Sequence, residues 1–212
     1  MRTEGKTLKN DKETKERLLI SAKQEFLENG YMRASLRNIC KNAGVTTGAL
    51  YFFFQDKEDL FASLVQEPLD RVYNSMNQHY QEEKGQGVKT LGNIEDFRND
   101  ILEAKQIINF MYQYYDEFQL LIVKSQGSRF ENCVDWFVEI SEKHYRGLAD
   151  EISEQMHLER LDDYLIHWLS HMQIDMFVYL LTHERSVENA QKYIEPIMRY
   201  ILSGWMGLFS SK

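Results

Sequence analysis

The chain has 212 residues, of which 43% are hydrophobic and 27% charged, a composition that excludes global disorder and supplies a sizeable buried core. No apolar run has the length of a membrane span, residues 1–15 are too polar for an export signal, and Cys40 and Cys133 have no disulfide or metal-ligand spacing, so we expect a reduced, cytoplasmic protein. The net charge is −8, yet residues 1–55 carry ten Lys and Arg against six Asp and Glu, which predicts a basic head on an acidic body.

Helical periodicity runs through almost the whole chain, because apolar residues recur at spacings of three and four and only two prolines are present. The first helix is predicted to begin near Asn10 or Asp11 and to end at Asn29-Gly30. Its buried face consists of Leu18, Leu19, Ala22, Phe26 and Leu27.

Two short helices joined by a tight turn are predicted next. Ser35 is a suitable N-cap for the first, which ends at Gly44, and Thr46 is a suitable N-cap for the second. The first has an apolar stripe formed by Leu36, Ile39, Cys40 and Ala43. This arrangement is typical of a helix-turn-helix, whose second helix enters the major groove of DNA.

A long fourth helix is predicted to open at Asp56 and to kink at Pro68, because proline removes a backbone hydrogen bond and clashes with the preceding turn. Residues 84–93 contain three glycines and are predicted to form a loop. Further helices are expected at 94–116, 118–125, 129–156, 161–183 and 187–204. We therefore predict an all-α protein with a three-helix DNA-binding domain over residues 1–55 and a helical ligand-sensing and dimerisation domain over 56–212, with a connecting helix at about 56–82.

The segment from Gly30 to Leu60 has a specific pattern of small, aromatic and apolar residues. Its informative positions are Gly30-Tyr31, Ala34-Ser35-Leu36, Ile39, Ala43-Gly44-Val45-Thr46, Gly48, Leu50-Tyr51, Phe54 and Lys57-Glu58-Asp59-Leu60. In this combination the segment resembles the helix-turn-helix of the TetR family of bacterial regulators. Two positions depart from the family pattern, since Phe53 and Gln55 stand where the family often has His and Lys.

The resemblance implies that the second short helix is the recognition helix. Gly48 would permit close approach to the DNA backbone, and hydroxyl groups on this helix would donate to phosphate oxygens. Ser35 would cap a helix whose N-terminus points at a phosphate, with three cationic side chains nearby. The predicted DNA-binding residues are Arg33, Ser35, Arg37, Thr46, Thr47, Gly48, Tyr51, Phe52 and Lys57. For the three cations, a solvated surface charge is the alternative interpretation.

Residues 110–136 are dense in large adaptable side chains, which favours a small-molecule pocket in the body. The predicted ligand-binding residues are Phe110, Met111, Tyr114, Tyr115, Phe118, Phe130, Trp136, Trp168 and Met172. Ordinary helix-bundle core is the alternative for each of them. The acidic body favours an apolar or cationic effector over an anionic one.

Neither an enzyme nor a cofactor is predicted, because the sequence contains no phosphate-cradling Gly loop, nucleophile elbow, paired Cys motif or HExxH. No metal is predicted either. The candidates for metal ligands are His167, His171 and Asp175, which share one helical face, and hydrogen bonding at an interface is the alternative for the histidines.

The last two predicted helices carry apolar stripes that favour packing against a second copy, as a four-helix bundle does in relatives. We therefore predict a homodimeric transcription regulator that binds a pseudo-palindromic operator in double-stranded DNA and, as a repressor, is released by a small-molecule effector. Two alternatives stay open. One is a DNA-binding module without a ligand, controlled by a protein partner or acting in chromosome organisation. The other is a helical enzyme or carrier.

Overall fold

The computed structural model describes residues 2–84 and 98–209, and it contains helices and no strand within those ranges. In chain order the helices are α1 (Arg2–Arg33), α2 (Leu36–Ala43), α3 (Thr47–Phe53), α4 (Lys57–Lys84), α5 (Arg98–Gln113), α6 (Tyr115–Val123), α7 (Cys133–Gln155), α8 (Asp163–His183) and α9 (Val187–Gly207). The predicted all-α fold is confirmed. Among the described helices, none combines the length and the apolar character needed to cross a membrane.

The first helix is longer than predicted at its start, and its helical backbone is interrupted at the residue where its end was predicted. It begins at Arg2, so the prediction of a start near Asn10 is wrong. The preceding residues are mostly Lys, Arg, Glu and Leu, which have high helix propensity and need no cap at Asn10 to be helical. At the other end, Gly30 leaves the helical region with φ 71° and ψ 164°, which confirms the predicted break.

The remaining boundaries follow local capping chemistry. Ser35 and Thr46 cap α2 and α3, and Gly44 ends α2 in the left-handed conformation, as predicted. Pro68 lies inside α4, which is a single helix from Lys57 to Lys84, and the kink expected there stays a prediction. The predicted loop at 84–93 lies outside the described residues except for Lys84, the last residue of α4.

Packing divides the chain into two compact units. Unit 1 contains residues 1–69 and 115–132, and unit 2 contains residues 70–114 and 133–212. Helix α4 contributes its first part to unit 1 and its second part to unit 2. Unit 1 therefore combines the three N-terminal helices with α6, a segment remote in sequence. The predicted functional division at residue 55 stays a prediction.

The core of unit 1 is built on aromatic rings from α1, α4 and the segment after α6. Phe61 is fully buried and packs edge-on against Phe26 and Tyr31, with ring centroids 5.0 and 5.2 Å away. Phe130 closes the cluster at 5.9 Å from Phe61. Burial of such rings is a large contribution to stability, so α1 and the start of α4 form a firm support for α2 and α3.

Unit 2 is a bundle in which α5 packs on α9 and α7 packs on α8. Tyr145 of α7 stacks on Trp205 of α9 with ring centroids 4.7 Å apart, and Tyr80 lies beside Tyr145. The Tyr80 and Ser141 hydroxyls are 3.2 Å apart, which pairs two polar groups that are both buried. Unit 2 therefore has a core of its own, independent of unit 1.

Candidate nucleic-acid interface

Helices α2 and α3 are joined by a tight turn whose geometry is set by two caps and one glycine. Gly44 has φ 66°, and its amide donates to the carbonyls of Cys40 and Lys41 at the end of α2. The Thr46 hydroxyl then accepts a hydrogen bond from the Ala49 amide at 3.2 Å, which starts α3. A left-handed residue is strained for most side chains, so glycine is required here for the chain to reverse.

Helix α3 presents one face to the core and the other to solvent. Leu50 of α3 and Phe54, the residue directly after the helix, are buried, with 0% and 2% of their surface exposed. Tyr51 and Phe52 are 54% and 73% exposed, which is unusual for large aromatic side chains. Thr46, Thr47 and Gly48 are exposed as well, which completes a face of five of the predicted DNA-binding residues. This outward face is what a recognition helix requires.

Helix α1 holds α2 in place through polar contacts as well as apolar ones. The buried Ser21 hydroxyl donates to the Ile39 carbonyl at 2.9 Å, and the Glu25 carboxylate accepts from the Ser35 amide at 3.0 Å. The Ser35 hydroxyl accepts from the Asn38 amide, so Ser35 is a cap with both groups engaged. Sequence reasoning missed Glu25, an acidic residue one turn from Ser21 on the buried face of α1.

The three predicted cations differ in their surroundings. Arg33 and Arg37 are exposed, and the Arg33 Nε donates to the Asn29 carbonyl at 3.3 Å. Lys57 is more enclosed, because its Nζ donates to the Met32 carbonyl at 3.1 Å and lies 4.8 Å from the centre of the Tyr31 ring. Burial lowers the pKa of Lys57. Arg37 is therefore the cation most available for a phosphate, while Lys57 also serves the structure.

A second polar cluster connects the end of α1, the start of α4 and the segment after α6. Glu58 accepts from the Tyr31 hydroxyl at 2.7 Å and from the Arg129 amide at 3.2 Å. The Arg129 guanidinium donates to the Gln66 side chain at 3.0 Å, and the Tyr31 amide donates to the Lys124 carbonyl at 2.8 Å. Burial, followed by the hydrogen bond and charge of Glu58, raises the pKa of Tyr31. Sequence reasoning missed this cluster, since nothing local relates residues 58 and 129.

The nine predicted ligand-binding residues are divided between the two compact units. Tyr115, Phe118 and Phe130 belong to unit 1, where Phe118 and Phe130 are 2% and 1% exposed and form part of the core. The other six belong to unit 2, and they are Phe110, Met111, Tyr114, Trp136, Trp168 and Met172. Their role in ligand binding stays a prediction.

Within unit 2, one of these six residues lies beside a cation and another faces solvent. Phe110 and Tyr114 are neighbours at 4.8 Å, and the Arg71 guanidinium lies 4.4 Å from the Phe110 ring centre. Trp168 is 54% exposed. A cavity of about 240 Å³ lies in the same unit, and its lining residues include His79, Glu83 and Asp100 but none of these six. The chemistry of this cavity is acidic rather than apolar.

The sequence-predicted metal candidates pair with other groups on α7 and α8. His167 Nδ1 lies 2.8 Å from a Glu142 carboxylate oxygen, and the rings of His167 and His171 meet edge-on at 4.6 Å. Asp175 is exposed. In the part of the chain that the structure describes, the set of three close metal-ligating atoms is instead formed by His79, Glu83 and Asp100.

Residues 18–64 match the family model described as bacterial regulatory proteins, tetR family. Among curated proteins, the HTH-type transcriptional repressor BepR of Brucella suis is 49% identical over 53 residues, which cover 25% of this chain and 25% of the relative. AcrR of Shigella flexneri is 42% identical over 59 residues, covering 28% and 27%. The matches thus span about a quarter of each of these two relatives. The HTH-type regulator YdgC of Bacillus subtilis is 32% identical over 105 residues, covering 50% and 49%.

Solved structures resemble the chain over nearly its whole length. NalD, the secondary repressor of the MexAB-OprM multidrug efflux pump in Pseudomonas aeruginosa, has a TM-score of 0.56 at 20% identity and covers 91% of this chain and 96% of its own. The regulator FadR of Bacillus subtilis, in complex with stearoyl-CoA, has a TM-score of 0.56 at 19% identity, covering 89% and 97%. At these identities the similarity concerns the fold.

Proposed function

We propose that the chain is a cytoplasmic transcription regulator of the TetR family that binds operator DNA and is released by a small-molecule effector, on the premise that residues 18–64 match the model of that family. The observation that carries the proposal is the outward face of α3. Two large aromatic side chains and two threonines there face solvent, while Leu50 holds the helix to the core. A face built for stability alone would bury those aromatic rings.

The proposed DNA contacts divide into two classes. The side chains of Thr47, Tyr51 and Phe52 lie on the helix that enters the major groove, where threonine methyl and aromatic groups contact bases and hydroxyl groups bind bases or phosphates. Arg33 and Arg37 supply charge toward the phosphates on either side of the groove. The first class sets sequence preference, and the second sets affinity and its dependence on salt.

A homodimer is part of the proposal, because a two-fold pair of recognition helices reads a palindromic site with half-sites about 34 to 36 Å apart. Helices α8 and α9 carry aromatic side chains that the single protomer leaves half-exposed or more. These are Tyr164, Trp168, Tyr179, Tyr193 and Tyr200. In a two-fold dimer the same face of each protomer covers that of the other, so these side chains become buried.

The proposed switch uses α4, the helix that contributes to both compact units. An effector bound in unit 2 that prefers one position of α4 biases the same helix in unit 1, where Glu58 is bonded to Tyr31 at the end of α1. Because unit 2 is acidic, we propose an apolar or cationic effector. BepR and NalD are both named as repressors, which supports repression as the mode of action.

The experiment begins with selection of genomic fragments that bind the purified protein, followed by titration of the selected operator in a gel-shift or anisotropy assay. Thr47→Ala and Tyr51→Ala are expected to weaken operator binding by about 5- to 150-fold each, since a good base contact contributes about 1 to 3 kcal/mol. Thr182→Ala, which removes a hydroxyl in α8 bonded to the Val178 carbonyl, is the matched control and keeps full affinity.

Three outcomes separate the proposal from its alternatives. Unchanged affinity in both α3 variants contradicts the assigned recognition helix. Affinity that no compound bound by unit 2 alters favours a DNA-binding module without an effector. A protein that remains a monomer with and without operator, measured by sedimentation, contradicts the two-fold mode of binding.

A further inference from the structure

Three metal-ligating side chains converge inside unit 2 from two helices. His79 and Glu83 are one turn apart on α4, and Asp100 lies in the first turn of α5. The His79 Nε2 atom is 3.2 Å from Asp100 Oδ1 and 3.8 Å from Glu83 Oε2, and one ligand atom from each residue lies within 4.8 Å of the others. The three donors thus form one compact cluster.

These distances match the spacing of donors around a small transition-metal ion. Zinc binds imidazole nitrogen and carboxylate oxygen at about 2.0 to 2.2 Å, so two donors at tetrahedral angles are about 3.3 to 3.6 Å apart. The measured separations of 3.2 and 3.8 Å bracket that range. A mixed nitrogen and oxygen set also favours a zinc-class ion over magnesium or calcium, which prefer oxygen alone.

The cluster is largely withdrawn from solvent. The His79 and Glu83 side chains are each 19% exposed, and the Asp100 side chain is 9% exposed. The Glu83 and Asp100 carboxylates both face the His79 imidazole, and Glu103 lines the same cavity. This group of carboxylates attracts a dication more strongly than a monovalent cation.

His144 of α7 supports the cluster from behind. Its Nε2 atom is 3.1 Å from Glu83 Oε2, its side chain is 5% exposed, and the ring stacks on Tyr80 at 4.0 Å. Its Nδ1 atom has no hydrogen-bond partner among the described residues, so the polar contact of this buried ring is directed through Nε2 at Glu83. Such a partner fixes a ligating carboxylate, as outer-shell residues do in metal sites.

The three residues line a cavity of about 240 Å³. Glu82 and Glu103 also line it, which adds negative charge on the path of an entering cation. A cavity of this size holds several water molecules, and one water completes a three-residue site.

We propose that His79, Glu83 and Asp100 bind one divalent transition-metal ion of the zinc class per protomer, with His144 positioning Glu83. The ion lies between His79 Nε2 and the carboxylate oxygens of Glu83 and Asp100. This site is separate from the DNA-binding face, and the proposal holds whether or not the ion affects operator binding.

Zinc affinity is measured on the full chain by competition with a chromophoric chelator, and cobalt(II) absorption in the visible range reports the coordination geometry. One ion per protomer and the intense bands of a four-coordinate cobalt site are expected. His79→Gln and Asp100→Asn each remove a ligand and are expected to weaken zinc binding by more than about 100-fold, since even outer-shell changes cost about 10- to 100-fold.

Two matched controls retain full affinity. Asp175→Asn removes an exposed carboxylate on α8, outside the cavity, and His167→Gln removes the exposed histidine paired with Glu142. His144→Phe keeps the stack on Tyr80 and is expected to weaken binding by about 10- to 100-fold, whereas His144→Gln retains an N–H toward Glu83 and restores most of it. Helical circular dichroism and melting temperature verify that each variant is folded.

Three results would overturn the proposal. One is a folded wild-type protein that binds neither zinc nor cobalt stoichiometrically. Another is zinc affinity that His79→Gln and Asp100→Asn leave unchanged. The third is affinity that falls in His167→Gln instead, which would place the ion on α8.

Discussion

Gly48 offers a substitution that is expected to strengthen folding and weaken DNA binding at the same time. It lies in the first turn of α3, exposed, and a Cβ built there would meet only the Thr46 hydroxyl oxygen at 3.8 Å, an ordinary van der Waals distance. Replacing a helical glycine by alanine stabilises a protein by about 0.5 to 1 kcal/mol, because the unfolded chain loses freedom. If the α3 backbone approaches DNA closely at this point, the added methyl group separates the two surfaces.

We therefore expect Gly48→Ala to raise the urea midpoint of unfolding and to weaken operator binding by about tenfold or more, which corresponds to about 1.4 kcal/mol. The matched control is Gly147→Ala in α7, where a new Cβ has no neighbour within 4 Å. That variant gains about 1 kcal/mol of stability and leaves operator affinity unchanged. Equal operator affinity in Gly48→Ala and the wild type would refute the close approach and with it the docking of α3.

Three further predictions concern the head. Gly30→Ala is expected to destabilise the protein by about 1 to 3 kcal/mol in urea unfolding, because φ 71° and ψ 164° lie in a backbone region almost restricted to glycine. A steric clash is not the cause, since the nearest atom to the added Cβ is 3.7 Å away. A loss of stability below about 0.5 kcal/mol contradicts this reasoning. Arg37→Gln is expected to reduce the slope of log affinity against log salt by about 0.9 per protomer, while Arg199→Gln, on α9, leaves it unchanged; equal slopes in Arg37→Gln and the wild type exclude a phosphate contact. The pKa of Tyr31 is raised in the folded state, so this residue contributes stability that is present below about pH 10 and is lost as the pH rises above that value, where the phenol of the unfolded chain ionises first. Tyr31→Phe is expected to remove this part of the loss of stability at high pH. An identical loss of stability at high pH in both proteins counts against the assignment.

Local chemistry made the helix-turn-helix predictable. Ser35, Gly44 and Thr46 have cap functions that depend on their own side chains or lack of one, and the structure confirms all three positions. The exposure of Tyr51 beside the burial of Leu50 follows from helical periodicity in the same way. The predicted start of α1 was wrong because a helix built from good helix formers extends beyond an apparent cap.

The ligand-binding prediction shows what composition leaves undecided. A dense run of aromatic residues between 110 and 136 indicates burial, but it does not determine which neighbouring helix each ring packs against. Phe118 and Phe130 lie in the core of unit 1, whereas Phe110 lies in unit 2 under the Arg71 guanidinium. Residues close in sequence were assigned to different cores by the packing of α5 and α6.

The sequence by itself determined the all-α class, the positions of the caps and the outward face of α3, because each depends on residues within about two helical turns of one another. Only the tertiary structure decided that Glu58 meets Arg129, that Glu25 binds the Ser35 amide, and that His79, Glu83 and Asp100 come together in one cluster. The physical reason is the separation along the chain over which each interaction acts. Helix ends follow from local hydrogen bonding, whereas contacts between distant residues follow from how whole helices bury their apolar faces against one another.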